Sequence, residues 1–128
     1  MIHRYLCHES YWAKNIPVAV VEKSIEGSFC FGVYHQGRQV GFARVITDHA
    51  TFAYLADVFI VQEYRGKGLS KWLMETIMNN PALQGLRRWL LATMDAHGLY
   101  AQFGFAPLDK PERIMGMKPF DEYPPTNG

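Results

Sequence analysis

The residues of this 128-residue chain best placed to do chemistry lie in one short stretch, Arg65-Gly66-Lys67-Gly68-Leu69-Ser70. An apolar run, Val58-Phe59-Ile60-Val61, leads into it. Beyond it, packing positions at Leu69, Trp72, Leu73, Thr76 and Ile77 recur at spacings of three and four and predict one helical stripe, with Lys71, Glu75 and Asn79 outside it. A buried strand that opens through glycines straight into a helix suits an anion. The first-turn N–H groups have no intrahelical acceptor, and the helix dipole adds partial positive charge there. Gly66 and Gly68 remove side chains that would hold a phosphate off, while Arg65 and Lys67 add formal charge.

Two phosphate-binding patterns do not fit. Gly66-Lys67-Gly68-Leu69-Ser70 has neither the spacing nor the adjacent Lys-Ser of the G-x-x-x-x-G-K-[ST] loop, which disfavours nucleotide triphosphate hydrolysis. A G-x-G-x-x-G reading begun at Gly66 would need glycine where Lys71 stands, and the strands before it resemble a hairpin more than a βαβ unit.

The elements that must position this loop follow from the pattern on either side. After an opening segment around Ile2 to Leu6, Trp12, Ile16, Ala19 and Val20 share a helical spacing interrupted by Pro17, giving two short helical pieces or one that begins at Pro17. Phe29–Tyr34 and Gln39–Ile46 are β-rich and joined by His35-Gln36-Gly37-Arg38, a hairpin. The next strand runs from about Thr51 to Val61. Strict alternation would place Tyr54, Ala56, Val58 and Ile60 on one face and Leu55, Asp57, Phe59 and Val61 on the other, both mainly apolar, so the strand is central. Asn80-Pro81 ends the following helix. Arg88 to Met94 reads as another buried strand, Ala96, Leu99, Tyr100 and Phe103 as a short helix ending at Gly104, and Arg113 to Lys118 as a last strand. This order describes a mixed α/β sandwich in a single domain over residues 1–128, with the Pro-rich 119–128 expected as a flexible surface tail.

Composition narrows the partners. Thirteen Lys and Arg against twelve Asp and Glu leave a net charge of +1, with no like-charge block to bind nucleic acid. No apolar run is long enough for a membrane helix, and the first residues lack the apolar middle of a secretion signal, so a cytoplasmic location is expected. Cys7 and Cys30 read as reduced thiols, with Cys30 a small core residue. His3, His8, His35, His49 and His97 form no pair at metal-ligand spacing, so no metal is expected.

The chain resembles the GNAT superfamily of N-acetyltransferases. The superfamily's [RQ]-x-x-G-x-[GA] signature is met by Arg65, Gly68 and, in place of Gly or Ala, Ser70. Ala96-His97-Gly98-Leu99-Tyr100-Ala101-Gln102-Phe103-Gly104-Phe105 is similar to its A-x-x-L-Y-x-x-x-G-F helix, with Thr93 where many members carry Asn. The resemblance implies a central, mostly antiparallel sheet splayed between the family's strands 4 and 5, with helices on both faces. It implies acetyl-CoA, or another short acyl-CoA, as co-substrate and the primary amine of a small molecule or peptide as acceptor, attacked directly in a ternary complex.

Residue by residue, the resemblance assigns the edge Phe59, Ile60 and Val61 to the pantetheine arm, with Thr93 in reach of it. Amides of Arg65, Gly66, Lys67, Gly68, Leu69 and Ser70 would hold the pyrophosphate, and an amide near Ile60 would polarise the thioester carbonyl. Tyr100 stands where family members place a proton donor to the leaving thiolate. Asp57, the one carboxylate inside an apolar strand, is the first candidate for the base, ahead of His97, Glu63 or a relayed water. Arg44, Thr47 and Asp48 lie at the strand end that borders the acceptor side, with Trp12 and Tyr11 as a wall. A non-catalytic acyl-CoA-binding or sensing module is the alternative reading, and the sheet edge and tail permit a homodimer.

Overall fold

The computed structural model describes residues 1–125. Two short helices, α1 (Ile2–His8) and α2 (Val18–Glu26), precede three antiparallel strands, β1 (Phe29–His35), β2 (Arg38–Thr47) and β3 (Phe52–Ile60). Helix α3 (Leu69–Met78) then crosses to β4 (Arg88–Leu91), which pairs parallel to β3, and α4 (His97–Ala101) follows. The sheet order is β1-β2-β3-β4. This is the mixed, largely antiparallel α/β architecture expected.

Local chemistry explains most boundaries. The hairpin turns on Gln36 and Gly37, with φ of 50° and 78°, the two left-handed residues that let a tight loop follow the right-handed twist of its strands. Pro17 stands at the N-cap of α2, and the Asn80 side chain accepts from Ala82 N–H in the turn that follows α3.

Four expectations need correction. Helix α3 buries Leu73, Met74 and Ile77 but leaves Trp72 55% exposed, because the stripe facing the sheet is rotated from the one that includes every large apolar residue. In the first helical region Ala13, Ile16 and Val21 are buried, whereas Ala19 and Val20 are exposed. The fourth strand stops at Leu91, short of Met94. The expected strand at Arg113–Lys118 is not one: a 3-10 turn spans Pro111–Arg113, and Met115 and Met117 are exposed with no strand beside them. Within the 119–125 part of the tail, Tyr123 is half-buried and its carbonyl accepts from Asn15 Nδ2 at 3.3 Å, while residues 126–128 lie outside the described residues.

A fifth correction matters most for the site. The register changes between Phe42 and Arg44: Phe42 faces Phe59, but Arg44 faces Ala56. Two β3 residues, Asp57 and Val58, therefore oppose the single Ala43, and Asp57 takes φ 53°. The bulge breaks the expected alternation, so Phe59 shares a face with Ala56 instead of Leu55. There its ring stacks on Tyr5 of α1, with centroids 3.9 Å apart and planes 5° from parallel.

Candidate active site

At the β3–α3 junction the glycines take left-handed conformations that leave the loop's backbone bare. Gly68, the N-cap of α3, has φ 77°, and Gly66 has φ 78°. A Cβ at either would meet no atom within 4 Å, so the loop's surface is open. Trp72 N–H is the first to find a helical acceptor, Gly68 O at 3.1 Å, and no side chain caps the helix. Among the described residues, the six consecutive amides of Gly66 to Lys71 have no protein acceptor. They border a depression of about 110 Å³ lined by Ile60, Tyr64 and Leu69 together with the loop.

Arg65 is used differently from the glycines beside it. Its N–H donates to Gln62 O at 3.2 Å, its Nε to Ile60 O at 2.9 Å and one Nη to the Tyr5 hydroxyl at 2.6 Å. The side chain thus fastens the loop to the strand end and to α1. Lys67 lies 5.3 Å above the Tyr64 ring, its ammonium at the exposed surface of the loop.

The β3 edge beside the loop is open where the site needs it. The β3–β4 ladder runs only from Phe52–Arg88 to Leu55–Leu91, so Ala56–Ile60 pair with β2 alone. Val61 N–H donates to Val40 O at 2.8 Å. In an antiparallel ladder hydrogen-bonded pairs alternate with open ones, so at Gly41–Ile60 the peptide groups of Ile60 point away from β2. Arg65 takes the Ile60 carbonyl. The Ile60 N–H remains free for an incoming acceptor.

Past that edge opens a cavity of about 730 Å³ between the α1–α2 connection, β3 and the chain after β4. It brings together Trp12, Arg44, Asp57, Thr93 and Tyr100 from distant parts of the sequence. Tyr100 is 9% exposed, and its hydroxyl makes no hydrogen bond among the described residues. Burial first, then the nearby Tyr11 phenol and Asp95 charge, push its pKa up to about 12, so the phenol holds its proton. Thr93 Oγ1 accepts from Ala96 N–H at 3.0 Å, which leaves its own O–H to donate.

Asp57 is not the solitary buried carboxylate of the sequence reading. Arg44 Nε donates to Oδ2 and Trp12 Nε1 to Oδ1, each at 2.8 Å, and Arg44 reaches on to Ser28 Oγ at 3.1 Å. The ion pair is well covered, with 16% and 10% of the two side chains exposed. The bulge aims Asp57 at both partners.

Other candidates lie elsewhere. Asp48 serves its own turn, accepting from the Thr51 hydroxyl and from the amides of Ala50, Thr51 and Phe52; these bonds hold its carboxyl well below the usual range. Thr47 spends its hydroxyl on Phe52 O and His49 N–H. Neither lines the cavity. His97 is exposed outside it, and Glu63 pairs with Arg38 at 3.2 Å on the surface. Conversely, Tyr54, Asp95 and Tyr123 line the cavity without having been singled out. Tyr123 belongs to a tail whose composition carried no periodic signal, and Asp95 sits in a loop.

A family profile described as an acetyltransferase (GNAT) domain matches residues 26–107. A crystal structure of a protein from Xanthomonas campestris pv. campestris, provisionally named an acetyltransferase of the GNAT family, is 56% identical and superposes with a TM-score of 0.90, covering 91% of this chain and 82% of that one. A Gibberella zeae protein provisionally named an acetyltransferase is 31% identical over 92% of this chain and 71% of its own. The fold is also that of a GNAT family acetyltransferase from Elizabethkingia anophelis with acetyl-CoA bound, at 9% identity and a TM-score of 0.60 over 73% of this chain and 63% of that one. The chain belongs to the GNAT acetyltransferase family.

Proposed function

We propose that the protein is an acetyl-CoA-dependent N-acetyltransferase acting on the primary amine of a small molecule or peptide. The observation that carries this reading is the run of six unpartnered amides from Gly66 to Lys71, placed at one end of an open strand edge that leads to the Tyr100 cavity. Acetyl-CoA supplies the acetyl group as a thioester, activated for attack by an amine. The amides of Gly66–Lys71 and the Lys67 ammonium hold its diphosphate, and the Thr93 hydroxyl donates to the pantetheine arm. Of the edge residues Phe59, Ile60 and Val61, the first and last have their N–H groups turned to β2, so the Ile60 N–H is the main-chain donor the edge offers. The Ile60 N–H stabilises negative charge on the carbonyl oxygen.

Tyr100 keeps its proton until the carbon–sulfur bond breaks, then gives it to the sulfur. Each Asp57 oxygen retains a second lone pair beyond the one engaged by Arg44 or Trp12. Held still by its partners, the carboxylate can therefore take the proton that the neutral amine nitrogen sheds as its bond to the acetyl carbon forms, while the carbon–sulfur bond breaks and the sulfur receives the Tyr100 proton. The two unpaired thiols accord with a cytoplasmic place of action.

The test is calorimetric titration with acetyl-CoA, followed by a thiol-release assay over a panel of amines and lysine peptides. Saturable binding and amine-dependent thiol release are expected. Binding with no release for any acceptor would favour a non-catalytic acyl-CoA module, and no binding would overturn both.

A further inference from the structure

The acceptor end of the cavity has features that neither folding nor donor binding requires. Trp12 is 41% exposed and Tyr11 51%, yet neither ring is loose. The Trp12 indole is anchored at its polar tip on Asp57, and the Tyr11 hydroxyl accepts from Met94 N–H at 2.9 Å. The rings meet edge to face, with centroids 5.0 Å apart and planes at 84°. Two large aromatics are thus fixed by their polar ends while much of their surface stays bare at the cavity mouth. Fixed, bare aromatic faces favour a cation, through the negative face of the ring.

The charges agree with the aromatics. Among the described residues, those lining the cavity include one cation, Arg44, and two carboxylates, Asp57 and Asp95. Arg44 is paired with Asp57, whose remaining lone pairs face the reacting amine. Asp95, exposed in the loop before α4, has no hydrogen-bond or ion-pair partner among the described residues. What remains to meet a second, distal charge on the acceptor is one free carboxylate, together with aromatic faces to which Tyr54 and Tyr123 add. A lining of that kind repels an anionic acceptor and attracts one with positive charge to spare.

We infer that the preferred acceptor is a small aliphatic diamine or polyamine: one amino group is acetylated, and a second, still protonated, is held by Asp95 against the Tyr11–Trp12 pair. This rests on the acetyl-transfer reading above and names its substrate class. Asp95 is here a specificity residue that touches the acceptor's distal charge.

Three acceptors with similar carbon chains and different far ends test it: 1,5-diaminopentane, pentylamine and 5-aminopentanoate. Thiol release is expected to rank in that order, with kcat/KM for the diamine about tenfold above that for the monoamine, the size of a semi-exposed ion pair and a cation–π contact together. The gap is expected in KM. Asp95→Asn collapses the diamine-to-monoamine ratio towards one. Without donor, calorimetry is expected to detect binding of 1,5-diaminopentane that Asp95→Asn weakens.

Equal turnover of all three acceptors, or a lead for 5-aminopentanoate, overturns the inference and leaves acetyl transfer standing. Diamine binding that depends on Asp95, with no thiol released from any acceptor, does the reverse. A lysine peptide that outperforms the free diamine at equal concentration overturns the small-polyamine assignment.

Discussion

Replacing Tyr100 by phenylalanine removes the oxygen of a buried side chain that lines the cavity, and the structure sets the size of each consequence. Among the described residues the hydroxyl has no hydrogen-bond partner, so its loss strands no donor or acceptor there, and stability near neutral pH should change by no more than about 0.5 kcal/mol. At high pH the two proteins diverge. The folded phenol titrates near 12 and an unfolded one near 10, so wild-type stability is intact below pH 10 and falls as pH rises towards 12, where only the unfolded state has released the proton. Two pKa units correspond to about 2.7 kcal/mol in full, of which half, about 1.4 kcal/mol, is lost by pH 11. The Phe variant lacks this component. Urea unfolding at pH 9 and pH 11 measures the difference. In catalysis, losing a general acid should slow thiol release by about 10²-fold with acetyl-CoA binding unchanged. Because the phenol stays protonated to about 12, it gives the wild-type rate no basic limb at lower pH. Wild-type thiol release from Tyr100→Phe would remove Tyr100 from the mechanism. Identical pH dependence of stability would show that the phenol is not desolvated.

The parts of this molecule legible in the sequence are those set by neighbours in the chain. The hairpin at Gln36-Gly37 and the start of α3 after Gly68 depend on turn chemistry and short-range periodicity and lie where the pattern put them, while α4 ends at Ala101, before the Gly104 expected to close it. The misread features depend on partners far away. Arg113–Lys118 has a strand's composition, but a strand also needs an edge to pair with, and that is a property of the sheet. Asp57 stood out correctly as an odd residue in an apolar run. Its meaning came from Arg44 on the neighbouring strand and from Trp12, 45 residues earlier, neither of which a local pattern connects to it. The bulge at Asp57 also reverses the side-chain faces beyond it, and alternation cannot anticipate that because one extra residue changes the parity of all that follow. The glycine loop was therefore readable, being a local strand–turn–helix signal. The cavity beside β3 was readable only in fragments.

Asp48→Asn should lower the melting temperature at pH 7 without altering the acceptor KM, since Asp48 closes its own turn outside the cavity. Its carboxyl is held low in the folded state, so the stabilisation is present above the ordinary value near 4 and is lost as pH falls below it. Melting curves of the two proteins should thus converge in acid, and a constant gap down to pH 2 would contradict the assignment. Gly68→Ala separates a turn from a binding site. At φ 77° an added Cβ costs about 1–2 kcal/mol of backbone strain, and with no atom within 4 Å it adds no clash, so the variant should fold and melt a few degrees lower. If the amides beside it hold a diphosphate, that Cβ also crowds the ligand, and calorimetry should show acetyl-CoA binding weakened about tenfold or more, while the affinity for acetyl-pantetheine, which has no diphosphate, changes little. Equal losses for both ligands would mean that the strain distorts the strand edge, and no loss for either would place the diphosphate away from this loop.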